Sequence, residues 1–305
     1  MNLNFHRSEA TKSYLLGFSL VFVGALLFSV KAILVKLAYQ YPVDSVSLLA
    51  LRMLFALPFY LVIGQLVSTN SRATYPKTKL SKEIVLMGLM GYYFASLFDF
   101  WGLKFVTAGI ERLVLYIYPT IVLLITVLVW KQKIQTIQYV ALVLTYLGVG
   151  IAFMDKAAIN ESENFWLGTL LIALAAITYA IYIAGSGKLL PQYGTFRYTV
   201  LTMTVSCAAI VLHHALFFQL QLFHFPPQVY WLSLFMAFFS TVLPSFLMSE
   251  GIRLIGSNNT AIVGSIGPIS TIILAYFVLG ESFGIAQFIG TVVVVAGVLL
   301  LSFKR

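Results

Sequence analysis

The chain has 305 residues, 60% of them hydrophobic and only 10% charged, with a net charge of +9 and a mean hydropathy of +0.95. Soluble domains average about 45–50% apolar and about 25% charged residues, so this composition excludes a water-facing globule and fits a lipid bilayer. The basic surplus is scattered along the chain and forms no continuous patch, which argues against nucleic acid as a partner.

A helix needs about 20 apolar residues to cross about 30 Å of hydrocarbon. Windows of that length predict ten spans, at 14–37, 44–68, 83–104, 107–130, 134–154, 165–187, 196–219, 229–254, 257–280 and 284–303. The first is too long for a signal-peptide core and no small-residue cleavage site follows it, so it is read as a retained helix. Segment 69–82, with Arg72, Lys77, Lys79, Lys82 and Pro76, is the longest predicted inner loop and reads as an anionic-lipid contact. Segment 155–164 is the most polar outer stretch, and Pro226–Pro227 precede the eighth span, where a proline costs no hydrogen bond. Cys207, the single cysteine, lies within the seventh span and allows no intrachain disulfide. Small residues recur on the spans (Gly17 and Gly24, Gly88 and Gly91, Gly148, Gly290 and Gly297) and read as packing faces, since close backbone approach drives helix association in lipid.

Placing the N-terminus in the cytoplasm gives the inner segments Arg7, Lys12, Arg72, Lys77, Lys79, Lys82, Lys131, Lys133, Lys188, Arg197, Arg253, Lys304 and Arg305. The outer segments then hold only Lys36, Lys104 and Lys156. That bias predicts both termini inside.

The chain also repeats itself. A shift of 149 residues carries Gly102 onto Gly251, Pro119 onto Pro268, Gln138 onto Gln287 and Gly148 onto Gly297. A shift of 151 carries Leu16–Gly17 onto Leu167–Gly168 and Ala25 onto Ala176. Five spans per half reverse the orientation of the second copy. The expected fold is therefore an all-α integral membrane protein of ten helices in two inverted five-helix repeats, 14–154 and 165–303, with 155–164 as the external linker. Duplicated halves of opposite orientation are the architecture of many secondary transporters.

The order of motifs is specific. Ser240-Thr241-Val242-Leu243-Pro244-Ser245-Phe246 is followed by Ile255-Gly256-Ser257, Gly267-Pro268 and Leu279-Gly280-Glu281, then by Gln287, Gly290 and Gly297 in the last span. The first half holds Arg52, Gly109-Ile110-Glu111-Arg112, Tyr118-Pro119, Gln138 and Gly148. This plan resembles the EamA domain of the drug/metabolite transporter superfamily, twice over nearly the whole chain. It departs where the second copy has Gly280–Glu281 and the first has Lys131–Gln132. The resemblance implies a cavity between the halves and movement of small metabolites, amino acids or amphipathic compounds, most often outward, across the bacterial inner membrane.

Ionisable residues within spans are costly and ask for a partner or a purpose. At about 1.5 Å of rise per residue, Lys31, Arg52, Asp99, Glu111 and Arg112 all fall in one layer of the outer half. Two readings compete. One is a polar site that receives an anionic group of the substrate, or a gate that exchanges ion pairs; the other is a bundle held together by Arg52 and Arg112 through Asp99 and Glu111. The structural reading leads for Arg52 and for Glu111–Arg112, and the two stand level for Lys31 and Asp99. Asp99 continues a polar stripe with Tyr92 and Ser96 at helical spacing, and the repeat matches Lys31 to Tyr182 and Tyr116 to Ser265. Glu250, three residues before Arg253, reads first as a local ion pair and second as a proton-coupling acid. His213 and His214 point about 100° apart on a helix, cannot share one metal, and with His224 read as interfacial. Pro119 and Pro268 each remove a helical hydrogen bond, freeing the carbonyls of Leu115 and Gly264 and marking helix bends beside a cavity.

A secondary carrier is the leading expectation. The alternatives are an integral-membrane enzyme, which lacks His-Glu-x-x-His, Gly-x-Ser-x-Gly or an acidic metal cluster, and a channel-like facilitator, which lacks a ring of like charges. The expected partners are a small-molecule substrate and the bilayer, with homodimer formation left open and no catalytic residue, cofactor or metal called for.

Overall fold

The computed structural model describes residues 2–69, 81–152, 164–280 and 284–300. Most of the 69–82 loop, most of the 155–164 linker and Glu281 of the Gly280–Glu281 turn therefore lie outside the described residues. The described residues are almost wholly helical. Helices α1 (Asn2–Ala38) and α2 (Ser45–Thr69) are followed by α3 (Lys82–Gly88) and α4 (Ala95–Gly102), which are joined through a π-helical turn at Leu89–Phe94. Then come α5 (Ala108–Leu115), α6 (Tyr118–Leu128), α7 (Thr136–Ala152), α8 (Phe165–Tyr193) and α9 (Thr195–Phe218). Helix α10 (Pro227–Ala237) runs through a second π-helical turn, Phe238–Val242, into α11 (Leu243–Val263), and α12 (Ile266–Leu279) and α13 (Ile285–Leu300) complete the chain. Among the described residues, six helical segments are long and apolar enough to cross a membrane, by length and composition.

Local chemistry sets several of the starts. Asp44 Oδ1 accepts from the backbone N–H groups of Val46 and Ser47 at 2.9 Å each, opening α2. Ser81 caps α3 through Ile84 N–H, and Thr107 caps α5 through Ile110 N–H. Each cap satisfies donors that the first turn of a helix leaves unpaired. Glycine sets one sharp kink. Gly256, at φ 81° and ψ 160°, turns the chain sharply between Ile255 and Ser257 without a loop, in a conformation that side chains with a Cβ rarely adopt.

Where the chain was expected to run as single spans, it is broken at matching places. The 107–130 span is two helices, α5 and α6, interrupted at Tyr116–Ile117, and the 257–280 span is interrupted at Gly264–Ser265. The two π-helical turns begin at Leu89 and Phe238, which the 149-residue shift superposes. Helix pairing repeats in the same sense. Helix α1 lies along α11 and α12, α8 lies along α4 and α6, α2 packs on α9, and α7 on α13. The α7–α13 contact is close enough that a Cβ on Gly148 would sit 2.7 Å from the carbonyl oxygen of Gly290.

The outside of the bundle is apolar. Leu128, Phe223, Trp231, Phe277 and Ile285 are all exposed. Polar side chains are instead buried, including Arg52, Asp99, Glu111, Arg112 and many hydroxyls. That inverts the rule for water-soluble proteins and suits a lipid solvent. Several of the buried hydroxyls bond carbonyls one turn back in their own helix, as Thr202 does to Tyr198 and Thr145 to Ala141, so they are satisfied without a cross-helix partner.

Candidate functional site

A cavity of about 90 Å³ lies at the centre of the bundle. Helix α1 contributes Phe28 and Lys31, α2 contributes Arg52, and the first π-helical turn and α4 contribute Tyr92, Ser96 and Asp99. Arg112, Tyr116 and Tyr118 come from the broken α5–α6 segment. From the second half of the chain come Tyr179 on α8, Met248 on α11, and Gly264, Gly267 and Pro268 around the second break. Both halves thus form one wall-to-wall site. Its lining is apolar and aromatic with a few convergent charges, the composition of a small-molecule pocket.

Four of the charges form one cluster. Lys31 Nζ lies 2.5 Å from Asp99 Oδ2 and 3.6 Å from Glu111 Oε1. Arg112 Nε lies 3.0 Å from Glu111 Oε2, and its Nη2 donates to the carbonyl of Phe28 at 3.0 Å. One lysine is therefore shared by two carboxylates and one carboxylate by two cations. All four side chains are almost wholly removed from solvent, Glu111 completely. Ser29, two residues before Lys31 on α1, ties α1 to α12 by donating to Gly267 O at 3.0 Å.

Arg52 corrects the sequence reading. It was expected to hold the bundle through Asp99 or Glu111, yet it is within ion-pair distance of no carboxylate among the described residues. Its Nε donates to Thr241 Oγ1 at 2.6 Å and its Nη2 to Ser240 O at 3.4 Å. Its guanidinium carbon stands 5.3 Å from the centroid of the Phe100 ring. The physical reason lies in the second π-helical turn, where Thr241 bonds back five residues to Met236 O and Ser240 O is placed to receive the arginine. Such turns widen a helix locally and are frequent at functional sites. Arg52 Nη1, though buried, makes no hydrogen bond.

The other expected site residues divide. Lys31, Tyr92, Ser96, Asp99, Arg112 and Tyr116 line the cavity, whereas Glu111, Tyr182 and Ser265 stand behind its wall. Tyr182 meets Tyr92 edge-on at 5.3 Å between ring centroids, and Ser265 donates to Ala261 O at 3.4 Å. Glu250 lies elsewhere: it is paired with Arg253 and accepts from Thr195 Oγ1 at 2.5 Å. That removes the motive for giving it a proton-coupling role in the cavity. Pro268 lines the cavity and Pro119 is buried at the start of α6. The carbonyl of Gly264 is not free as expected, because Gly267 N–H bonds it at 3.0 Å; the helix breaks ahead of the proline and so absorbs the lost bond. His214, read from the sequence as interfacial, has a protein partner. It is buried, with Nε2 2.9 Å from Ser47 Oγ.

Sequence reasoning passed over a second cavity, of about 600 Å³, lined by Lys133, Gln138, Lys188, Asn258 and Asn259 among others. Around it the two halves are stitched by polar contacts. Thr126 Oγ1 donates to Asn258 Oδ1 at 2.9 Å, Gln138 Nε2 to Asn259 Oδ1 at 2.7 Å, and Tyr118 Oη to Ala261 O at 2.9 Å. The available signal was an Asn–Asn pair directly after the Gly256 kink, inside an otherwise apolar span. Among the described residues no group of three or more His, Cys, Asp or Glu is arranged to hold a metal ion.

The sequence profile of the EamA-like transporter family matches residues 15–154 and again 166–303. The uncharacterized transporter YcbK of Bacillus subtilis is 31% identical over 279 residues, covering 90% of this chain and 88% of the relative. The uncharacterized transporter sll1319 of Synechocystis is 23% identical and covers 95% of this chain and 94% of its own. A solved crystal structure shares the fold at a TM-score of 0.72 and 14% identity, covering 93% of this chain and 95% of that one.

Proposed function

Because the chain belongs to the EamA-like transporter family, we propose that it is a secondary exporter that moves a small metabolite across the bacterial inner membrane by alternating access. The observation that carries this reading is the central cavity, lined by both halves at their matching helix breaks and holding buried charges. A site between repeated halves near the membrane midplane, built from interrupted helices, is where carriers bind their cargo.

The ten-span, inverted-repeat arrangement belongs to this proposal. It is supported by the twice-matched family profile, the superposed π-helical turns and the reciprocal pairing of α1 with α11–α12 and of α8 with α4–α6. The polar contacts among Thr126, Gln138, Asn258 and Asn259 act as the inner gate, since they close the route between the two cavities and are weak enough to exchange with water. The Lys31–Asp99–Glu111–Arg112 cluster closes the outer side. The cytoplasmic bias of basic residues supports both termini inside.

Accessibility from each side tests the mechanism. In a Cys207→Ala background, Ser96→Cys in the central cavity and Ser257→Cys in the inner one report the two routes. Alternating access predicts that a membrane-impermeant thiol reagent labels Ser96→Cys from outside in one state and is excluded when the inner route opens. Simultaneous labelling of Ser96→Cys from both sides would indicate a channel-like facilitator.

A further inference from the structure

Charge in the central cavity does not balance. Lys31 and Arg112 are matched by Asp99 and Glu111 at 2.5–3.6 Å, which leaves Arg52 as a buried cation whose direct contacts among the described residues are neutral: a hydroxyl, a carbonyl and an aromatic face. It is 1% exposed, and its Nη1 is unpartnered. A guanidinium cannot shed its charge at any working pH, so neutralisation by proton loss, open to a lysine, is closed to it. Hydroxyl and carbonyl dipoles compensate a buried charge only in part.

The guanidinium fork suits one kind of partner, a planar or tetrahedral oxyanion. Phe28, Tyr92, Tyr118 and Tyr179 supply an apolar, aromatic surround beside it. The second cavity repeats the sign: Lys133 and Lys188 line it, and no acidic residue does. Those lysines also serve the orientation of the chain, so Arg52 carries the weight.

We infer that the cargo is a compact organic anion whose oxyanion group pairs with Arg52 while a small apolar body rests against the cavity tyrosines. This rests on the carrier reading and names its substrate class. The cavity volume of about 90 Å³ favours a ligand smaller than or similar to benzene, which fills an engineered cavity of about 150 Å³. Size therefore favours the acetate and butyrate arms of the test below over the aromatic ones.

The test uses matched probes that differ in charge. Thermal unfolding of the purified protein is followed at pH 7.5 with acetate, butyrate, benzoate and phenylphosphonate. Their neutral partners are acetamide, butyramide and benzamide, and benzylamine is the cationic arm. The expected result is that one anion binds wild type at least about tenfold more tightly than its amide, the scale of one charge-assisted contact. Arg52→Gln should bring that ratio close to one, with Arg52→Lys between, because it keeps the charge and loses the fork. The phosphonate arm separates a carboxylate from a phosphoryl headgroup within the anion class. A wild-type preference for an amide or for benzylamine overturns the anion inference and leaves the carrier reading standing, as does an anion preference unchanged in Arg52→Gln. No shift with any probe overturns the inference and the binding role of the cavity together. Should Arg52→Gln not fold, the wild-type ratios and Arg52→Lys decide.

Discussion

Neutralising Asp99 is the most informative perturbation of the charged cluster. At the 2.5 Å separation from Lys31 Nζ, and an effective dielectric of about 20, the Coulomb attraction is about 7 kcal/mol. The Lys31–Glu111 pair at 3.6 Å contributes about 5 kcal/mol on the same scale. In Asp99→Asn the lysine keeps Glu111, and the desolvation already spent on Asp99 is recovered, so the net loss falls to about 2–4 kcal/mol. Lys31→Gln leaves Asp99 Oδ2 without its cation and should cost about 3–5 kcal/mol. The double variant removes both charges and should cost clearly less than the sum of the two, with a coupling of at least about 2 kcal/mol. Unfolding by chemical denaturant in mild detergent, followed by tryptophan fluorescence, measures all three. Additive losses, with coupling under about 0.5 kcal/mol, would refute a buried ion pair here. Stability restored in the double variant while transport remains lost would assign the pair a role in the transport cycle.

Glu250→Gln should retain full transport and lose under about 1 kcal/mol, since its partner Arg253 is exposed to 44% and such pairs contribute little; counterflow in proteoliposomes checks this. Gly148→Ala should cost about 1–3 kcal/mol, because its Cβ meets backbone atoms of Gly290 and Val294 at 2.7 Å that cannot give way, whereas Gly150→Ala, with nothing within 4 Å, should be neutral or slightly stabilising. Thermal unfolding of the two variants makes the comparison. Crosslinking Thr126→Cys to Asn258→Cys in the Cys207→Ala background, with a short bifunctional thiol reagent, should stop transport by holding the inner gate shut. Unimpaired transport after full crosslinking would remove those residues from the gate. Reporter fusions at Asn160 and at the C-terminus should read outside and inside respectively, and a cytoplasmic Asn160 would overturn the inverted repeat.

Much of this was legible in the chain itself. Apolar windows fell on the six described helical segments that are long enough to cross a membrane, and the matched Pro119 and Pro268, read as bends, lie in the first turns of new helices just after the breaks. Proximity was partly legible too, since helical rise is fixed: counting residues grouped Lys31, Arg52, Asp99, Glu111 and Arg112, of which four line one cavity and Glu111 pairs with two of them. Rotation about each helix axis and the choice of partner helix were not, because in lipid they are decided by close packing of small residues rather than by an apolar stripe. Only the tertiary structure therefore gave both carboxylates to Lys31, turned Arg52 away from them towards Ser240 and Thr241, and set Asn258 and Asn259 against Thr126 and Gln138. The sequence determined which charges lie on apolar helices; packing decided which of them stays without a paired carboxylate.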